Sequence, residues 1–190
     1  MVRKERRTLK AAPGTRSVQA KALGIKLLLF DVDGVLTDGG VVIHGDGSES
    51  KKFGIRDGIA MVWAQRAGLK VGFLSARTSP TTPYRAAQLG VTIVQNGTTS
   101  KVHAYDRILA SEQLTDRDVA YMGDDVVDLG VLGRAGLSAA PADAVAEVRK
   151  RVDFESGAPG GNGAARELIE TVLKAQKRWE ALVATYANET

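Results

Sequence analysis

The run Lys26-Leu-Leu-Leu-Phe-Asp-Val-Asp-Gly-Val-Leu-Thr37 sends two carboxylates, Asp31 and Asp33, out of a continuous apolar stretch. Leu27 to Phe30 reads as a parallel strand covered on both faces, and in an open α/β sheet ligands collect beyond the carboxyl ends of the strands. Alternate residues of an extended chain share a side, so Asp31 and Asp33 face one way and Val32 the other. Two carboxylates so placed can serve one metal ion or one reacting group, and Gly34 lets the chain turn away. Further polar residues fall at strand ends or helix starts, in one order along the chain. Ser75 ends the apolar run Val71-Gly-Phe-Leu74, Lys101 opens a helical stretch after Asn96-Gly-Thr-Thr-Ser100, and Asp124, Asp125 and Asp128 follow the apolar run that ends at Met122. Taken singly, Ser75 is a capping serine, Lys101 a solvated lysine, and the three aspartates a helix start favoured by the macrodipole. The ordered set is what predicts a site.

These residues need a scaffold that brings strand ends together. Repeated units of apolar strand, Gly or Asp turn and amphipathic helix predict βαβ alternation around a central parallel sheet, an α/β, Rossmann-like three-layer sandwich. Gly68 and Gly90 each stand between a helical stretch and the next strand, where a left-handed helix cap belongs. A chain of 190 residues with 44% hydrophobic residues can fill one core.

The motifs Asp31-Val-Asp-Gly-Val-Leu-Thr37, Ser75, Lys101 and Gly123-Asp-Asp-Val-Val-Asp128 resemble the four motifs of the haloacid dehalogenase (HAD) superfamily of phosphotransferases. Phe53-Gly-Ile-Arg-Asp-Gly58 and Gly160-Gly-Asn-Gly-Ala-Ala-Arg-Glu167 are similar to those of the capless branch that includes 3-deoxy-D-manno-octulosonate 8-phosphate (KDO 8-phosphate) phosphatases. The resemblance implies a Mg²⁺-dependent phosphomonoesterase acting on a keto-sugar acid phosphate through an aspartyl-phosphate intermediate. Magnesium prefers hard oxygen ligands and binds through one or two carboxylates plus substrate phosphate. Asp31 and Asp124 are the expected ligands, with the backbone carbonyl of Asp33 implied by the resemblance. Asp31 is the expected nucleophile and Asp33 the acid and base. Lys101 is expected to hold the charge of Asp31 and the phosphoryl group, and Ser75 to donate to a phosphoryl oxygen. Asp125 and Asp128 are expected to support Lys101 or metal-bound water from behind.

Related enzymes often carry a cap domain between these motifs. Here the stretch from Asp31 to Ser75 must hold a helix from about Gly58 and a strand after Gly68, which leaves room for a small β-hairpin flap at about 38–56 and no cap. Gly45-Asp-Gly-Ser-Glu49 supplies its turn. A lone hairpin is marginal in water, so it is expected to pack on other subunits, and the resemblance implies a homotetramer whose chains complete one another's sites. Arg56, Arg77 and Arg166 are candidates for binding a substrate carboxylate, since a guanidinium pairs bidentately with one. Placement of Arg166 in the first turn of a surface helix is the alternative. Ala76, Ala60 and Ser100 depart from the residues usual in the family, which leaves the phosphotransfer groups in place and bears on substrate identity.

With no cysteine, disulfides and thiol nucleophiles are excluded. His44 and His103 lack metal-ligand spacing. The net charge of +4 is concentrated at the start, where residues 1–26 hold eight Lys or Arg against Glu5. A basic, disordered extension is therefore expected over 1–22, followed by one phosphatase domain over 23–190 that ends in a tail and helix at about 156–187. No run is apolar enough to span a membrane and no signal-peptide core follows the charged start, so a cytoplasmic protein with neither membrane nor nucleic-acid partner is expected. The alternatives are a phosphatase for nine-carbon keto-acid 9-phosphates, or a non-catalytic tetramerisation module related to acylneuraminate cytidylyltransferase.

Overall fold

The computed structural model describes residues 17–187. Ser17 accepts the Ala20 amide at 3.2 Å and caps α1 (Val18–Ala22). The extension expected over 1–22 is thus corrected at its end, because Ala22 is buried against the core and carries this helix into the domain. Residues 1–16 lie outside the described part.

β1 (Leu27–Phe30) is fully buried, as its unbroken apolar run requires. β2 (Val42–Ile43) and β3 (Glu49–Ser50) form the antiparallel hairpin pair. Then come α2 (Ile55–Arg66), β4 (Lys70–Ser75), α3 (Thr81–Gln88), β5 (Ile93–Asn96) and α4 (Lys101–Glu112). β6 (Val119–Met122), α5 (Leu129–Leu132), β7 (Leu137–Ala140), α6 (Ala146–Arg149) and β8 (Phe154–Glu155) complete the sheet. The chain closes with α7 (Ala164–Ala175) and α8 (Trp179–Ala187). Gly68 and Gly90 take φ of +86° and +69° just past α2 and α3, the left-handed caps that release each helix into the next strand. Pro83 sits within the first turn of α3, where its missing amide costs no helical bond.

All six strands of the main sheet are parallel, in the order β5-β4-β1-β6-β7-β8. Side-chain alternation splits the core. Leu28, Phe30, Val71, Phe73 and Met122 pack under α1, α2 and α7, whereas Leu27, Leu29, Leu74 and Tyr121 pack under α4 and α5. Burying one such Leu or Phe contributes about 1.5–3 kcal/mol.

The one helix expected within the closing stretch 156–187 is corrected to two. Lys177 adopts φ +57° and the Arg178 amide bonds back to the Leu173 carbonyl, so the chain turns without a Gly or Pro to mark the place. α8 then returns Trp179 to within 6.0 Å of Trp63 and Tyr186 to the Trp63 indole nitrogen at 3.0 Å. Those aromatic contacts offset the strain of a left-handed lysine.

Candidate active site

The order of the strands reverses between β1 and β6, and the loops leaving those two strands part there to leave a crevice. Phe30 pairs with Met122, so Asp31 and Gly123 leave the sheet side by side. The Asp31 amide still bonds the Met122 carbonyl at 3.0 Å. Across the crevice Lys101 opens α4, whose first turn is capped by the Ser100 hydroxyl accepting the His103 amide. Its ammonium lies 2.8 Å from Asp31 Oδ1 and 2.6 Å from Asp128 Oδ1.

Asp128 is fully buried and its oxygens are occupied: Oδ1 also accepts the Tyr121 hydroxyl, and Oδ2 accepts the Asp124 and Asp125 amides at 3.2 and 3.3 Å. It therefore holds Lys101 and the β6 loop in place. Asp124 is different, because its Oδ1 is buried with no hydrogen-bond partner. Asp31, Asp124 and Asp128 each bring one oxygen to within 4.8 Å of the others.

Such crowding is costly for anions. Burial, joined by Asp31 and Asp128, pushes the Asp124 carboxyl up to about 7. Asp31 rises to about 6, where burial and Asp128 outweigh the attraction of Lys101. Burial pulls the Lys101 ammonium down, but Asp31 and Asp128 more than offset it and its pKa is raised. An unpartnered buried carboxylate oxygen beside two more carboxylates is the donor set a hard divalent cation requires. Glycine at 34 follows from the same crowding: its φ is +89°, and a Cβ there would fall 2.0 Å from Asp124 Oδ2. Gly160 closes on the loop from the other side, where a Cβ would fall 1.9 Å from the Gly34 carbonyl oxygen.

Asp33 meets a partner that the motif spacing does not reveal. Lys51, just after β3, places its ammonium 2.8 Å from Asp33 Oδ1 and 3.0 Å from Oδ2. Ser75 is buried at the end of β4, its hydroxyl donating to the Arg77 carbonyl at 3.0 Å, while its own carbonyl accepts the Gly97 and Thr98 amides of the loop leading to Lys101. Asp31, Lys101, Asp124 and Asp128 thus gather at one point, and Asp33 joins the hairpin at its edge.

The remaining candidates are placed otherwise. Asp125 is exposed and caps its own turn by accepting the Val126 amide at 2.6 Å, so it does not orient Lys101. Arg77 pairs with Glu49 at 2.6 Å, and Arg56 is exposed in the first turn of α2. Arg166, in the first turn of α7, lies over the Trp63 ring at 4.8 Å and donates to Glu170 at 2.8 Å. Its amide and that of Gly163 bond the buried Asp57, fixing the glycine-rich segment to α2. Asp57 and Lys51 are the polar residues that motif reasoning missed. Alternation puts Lys51 on the same side of the extended segment as Glu49 but does not bring it to Asp33.

Residues 74–168 match the family model of haloacid dehalogenase-like hydrolases. The chain is 37% identical over 164 residues to 3-deoxy-D-manno-octulosonate 8-phosphate phosphatase KdsC of Escherichia coli K12, covering 86% of this chain and 87% of that one. Among solved structures, a probable YrbI family phosphatase from Pseudomonas syringae superposes with a TM-score of 0.89 at 39% identity, over 91% of this chain and 98% of that one. A Moraxella catarrhalis 3-deoxy-D-manno-octulosonate 8-phosphate phosphatase, in complex with magnesium, phosphate and KDO, superposes at 0.87 with 32% identity, over 89% and 97%.

Proposed function

The chain belongs to the haloacid dehalogenase-like hydrolases, and we propose that it is a Mg²⁺-dependent phosphomonoesterase that hydrolyses 3-deoxy-D-manno-octulosonate 8-phosphate. The observation that carries the reaction class is the buried Asp31–Lys101–Asp128 cluster with the unpartnered Asp124 oxygen beside it. The sugar follows from the KdsC relatives and from the Moraxella enzyme with KDO bound, and it places the reaction in lipopolysaccharide biosynthesis.

Asp31 and Asp124, with the backbone carbonyl of Asp33, are the groups that would hold the metal. Bound there, Mg²⁺ neutralises phosphate charge and orients the phosphoryl group. Asp31 attacks phosphorus, and the developing aspartyl phosphate splits hydrolysis into two displacements. Lys101 keeps Asp31 ionised and aligned, and its ammonium faces the charge that builds on the phosphoryl oxygens. Asp33 protonates the leaving sugar oxygen and then takes a proton from the attacking water. The Ser75 hydroxyl, turned to the Arg77 carbonyl here, exchanges that bond for a phosphoryl oxygen.

Phosphate release from a panel of sugar phosphates, with and without Mg²⁺, tests the assignment. Metal-dependent release strongest with KDO 8-phosphate is expected. Preference for a nine-carbon keto-acid 9-phosphate would move the substrate, and no release from any would favour an assembly module.

A homotetramer built through the hairpin goes with this reading, because Val42 and Ile43 are 60% and 64% exposed on a two-residue ladder too short to be stable alone. Val42→Glu with Ile43→Glu is expected to shift the light-scattering mass from tetramer to smaller species; an unchanged mass would remove the hairpin from the interface. Among the described residues no helix is long and apolar enough to cross a membrane. The cytoplasm, where sugar phosphates are made, is the compartment that fits.

A further inference from the structure

We propose that Lys51 is a positioning residue for the reaction, holding Asp33 in the orientation in which it exchanges a proton with the leaving group; this rests on the phosphatase reading above. The Lys51 side chain has no exposed surface, although the hairpin that carries it is mostly exposed. An ammonium removed from water in this way needs an anionic partner, and Asp33 is the one it meets.

Both Asp33 oxygens lie against the ammonium, Oδ2 in a hydrogen bond at 3.0 Å and Oδ1 at 2.8 Å. The pair fixes the carboxylate plane against the hairpin. Two further contacts fix the hairpin. Glu49, on the same side of the strand, accepts the Ser79 hydroxyl and pairs with Arg77 at 2.6 Å, so the hairpin edge is tied to the loop that follows Ser75. With a ladder of only two residues per strand, these polar contacts rather than sheet pairing set where Lys51 stands. The hairpin thereby reaches the chemistry through its own chain, whatever it does between subunits.

The test is a double-mutant cycle, because a residue that acts through Asp33 loses its effect when Asp33 is gone. Wild type, Lys51→Met, Asp33→Asn and the double variant are compared on KDO 8-phosphate with Mg²⁺, under single-turnover conditions that resolve slow variants. Lys51→Met is expected to lower the rate about 10- to 100-fold, a share of the 10²–10⁴-fold that general acid–base catalysis supplies. In the Asp33→Asn background it should cost less than about twofold. Lys51→Arg should recover part of the loss, and KM should move less than kcat. An equal loss in both backgrounds, or a loss confined to KM, would overturn the positioning role. Lys51→Gln repeats the cycle with a side chain that keeps a donor, should the Met variant melt low. Wild-type release in the same assay secures the parent reading, so a flat response of the Lys51 variants counts against Lys51 alone.

Discussion

Asp31→Asn lowers kcat by on the order of 10⁴-fold or more, as loss of a nucleophile does, while the metal-free variant melts no lower than the native protein at pH 8. The second half follows from the electrostatics. Asp31 and Asp124 titrate near 6 and 7, against 3.8 for an ordinary aspartate. Between about pH 4 and pH 7 the folded protein therefore binds more protons than the unfolded chain. Its metal-free stability falls as pH rises through that window, and the penalty is complete above it. Replacing Asp31 by its neutral isostere removes part of that penalty, a gain of about 2 kcal/mol at pH 8 and none near pH 4. Lys101 can still donate to the amide oxygen. Rate measurements beside melts at the two pH values check both halves. Near-normal turnover would refute the nucleophile, and a lower melting point at pH 8 would show that the carboxylate cluster is not strained. Mg²⁺ should raise the native melting point far more than that of the variant, since one ligand charge is lost.

Much of this site is legible in the sequence, for identifiable reasons. The apolar run of β1 admits only a strand buried on both faces, and its end must therefore present Asp31 at a sheet edge. Lys101 and Asp124 were legible because each follows a turn that closes a strand. Lys51 was not, because it reaches Asp33 by way of a hairpin fold-back, and neither residue spacing nor composition measures that path. The break at Lys177 escaped for a different reason. A left-handed residue usually announces itself as Gly or Asn, whereas here the tertiary contacts of α8 with Trp63 decide it. The Glu170 partner of Arg166 was not legible because a guanidinium suits a carboxylate of either kind, and one stands one turn along its own helix.

Lys101→Met is expected to lower kcat by about 10²- to 10³-fold, in line with removal of one preorganised charge from a buried site, and to destabilise the protein by about 3–5 kcal/mol at pH 8. The ammonium lies between two carboxylates, and its side chain is almost wholly buried. Without it Asp31 and Asp128 face each other and Asp124 with no counter-charge. The only relief available in the metal-free protein is protonation. Because Asp31 and Asp124 already titrate high, the destabilisation should shrink as pH falls from 8 towards 5, whereas loss of simple packing would cost the same at both. Combining Lys101→Met with Asp31→Asn removes one stranded anion, so the double variant should be more stable at pH 8 than Lys101→Met alone, and no more active. Urea unfolding of the four proteins at pH 5 and pH 8 measures this directly. A loss below about 1 kcal/mol at pH 8, or one independent of pH, would mean that Lys101 is not the charge that holds the cluster together.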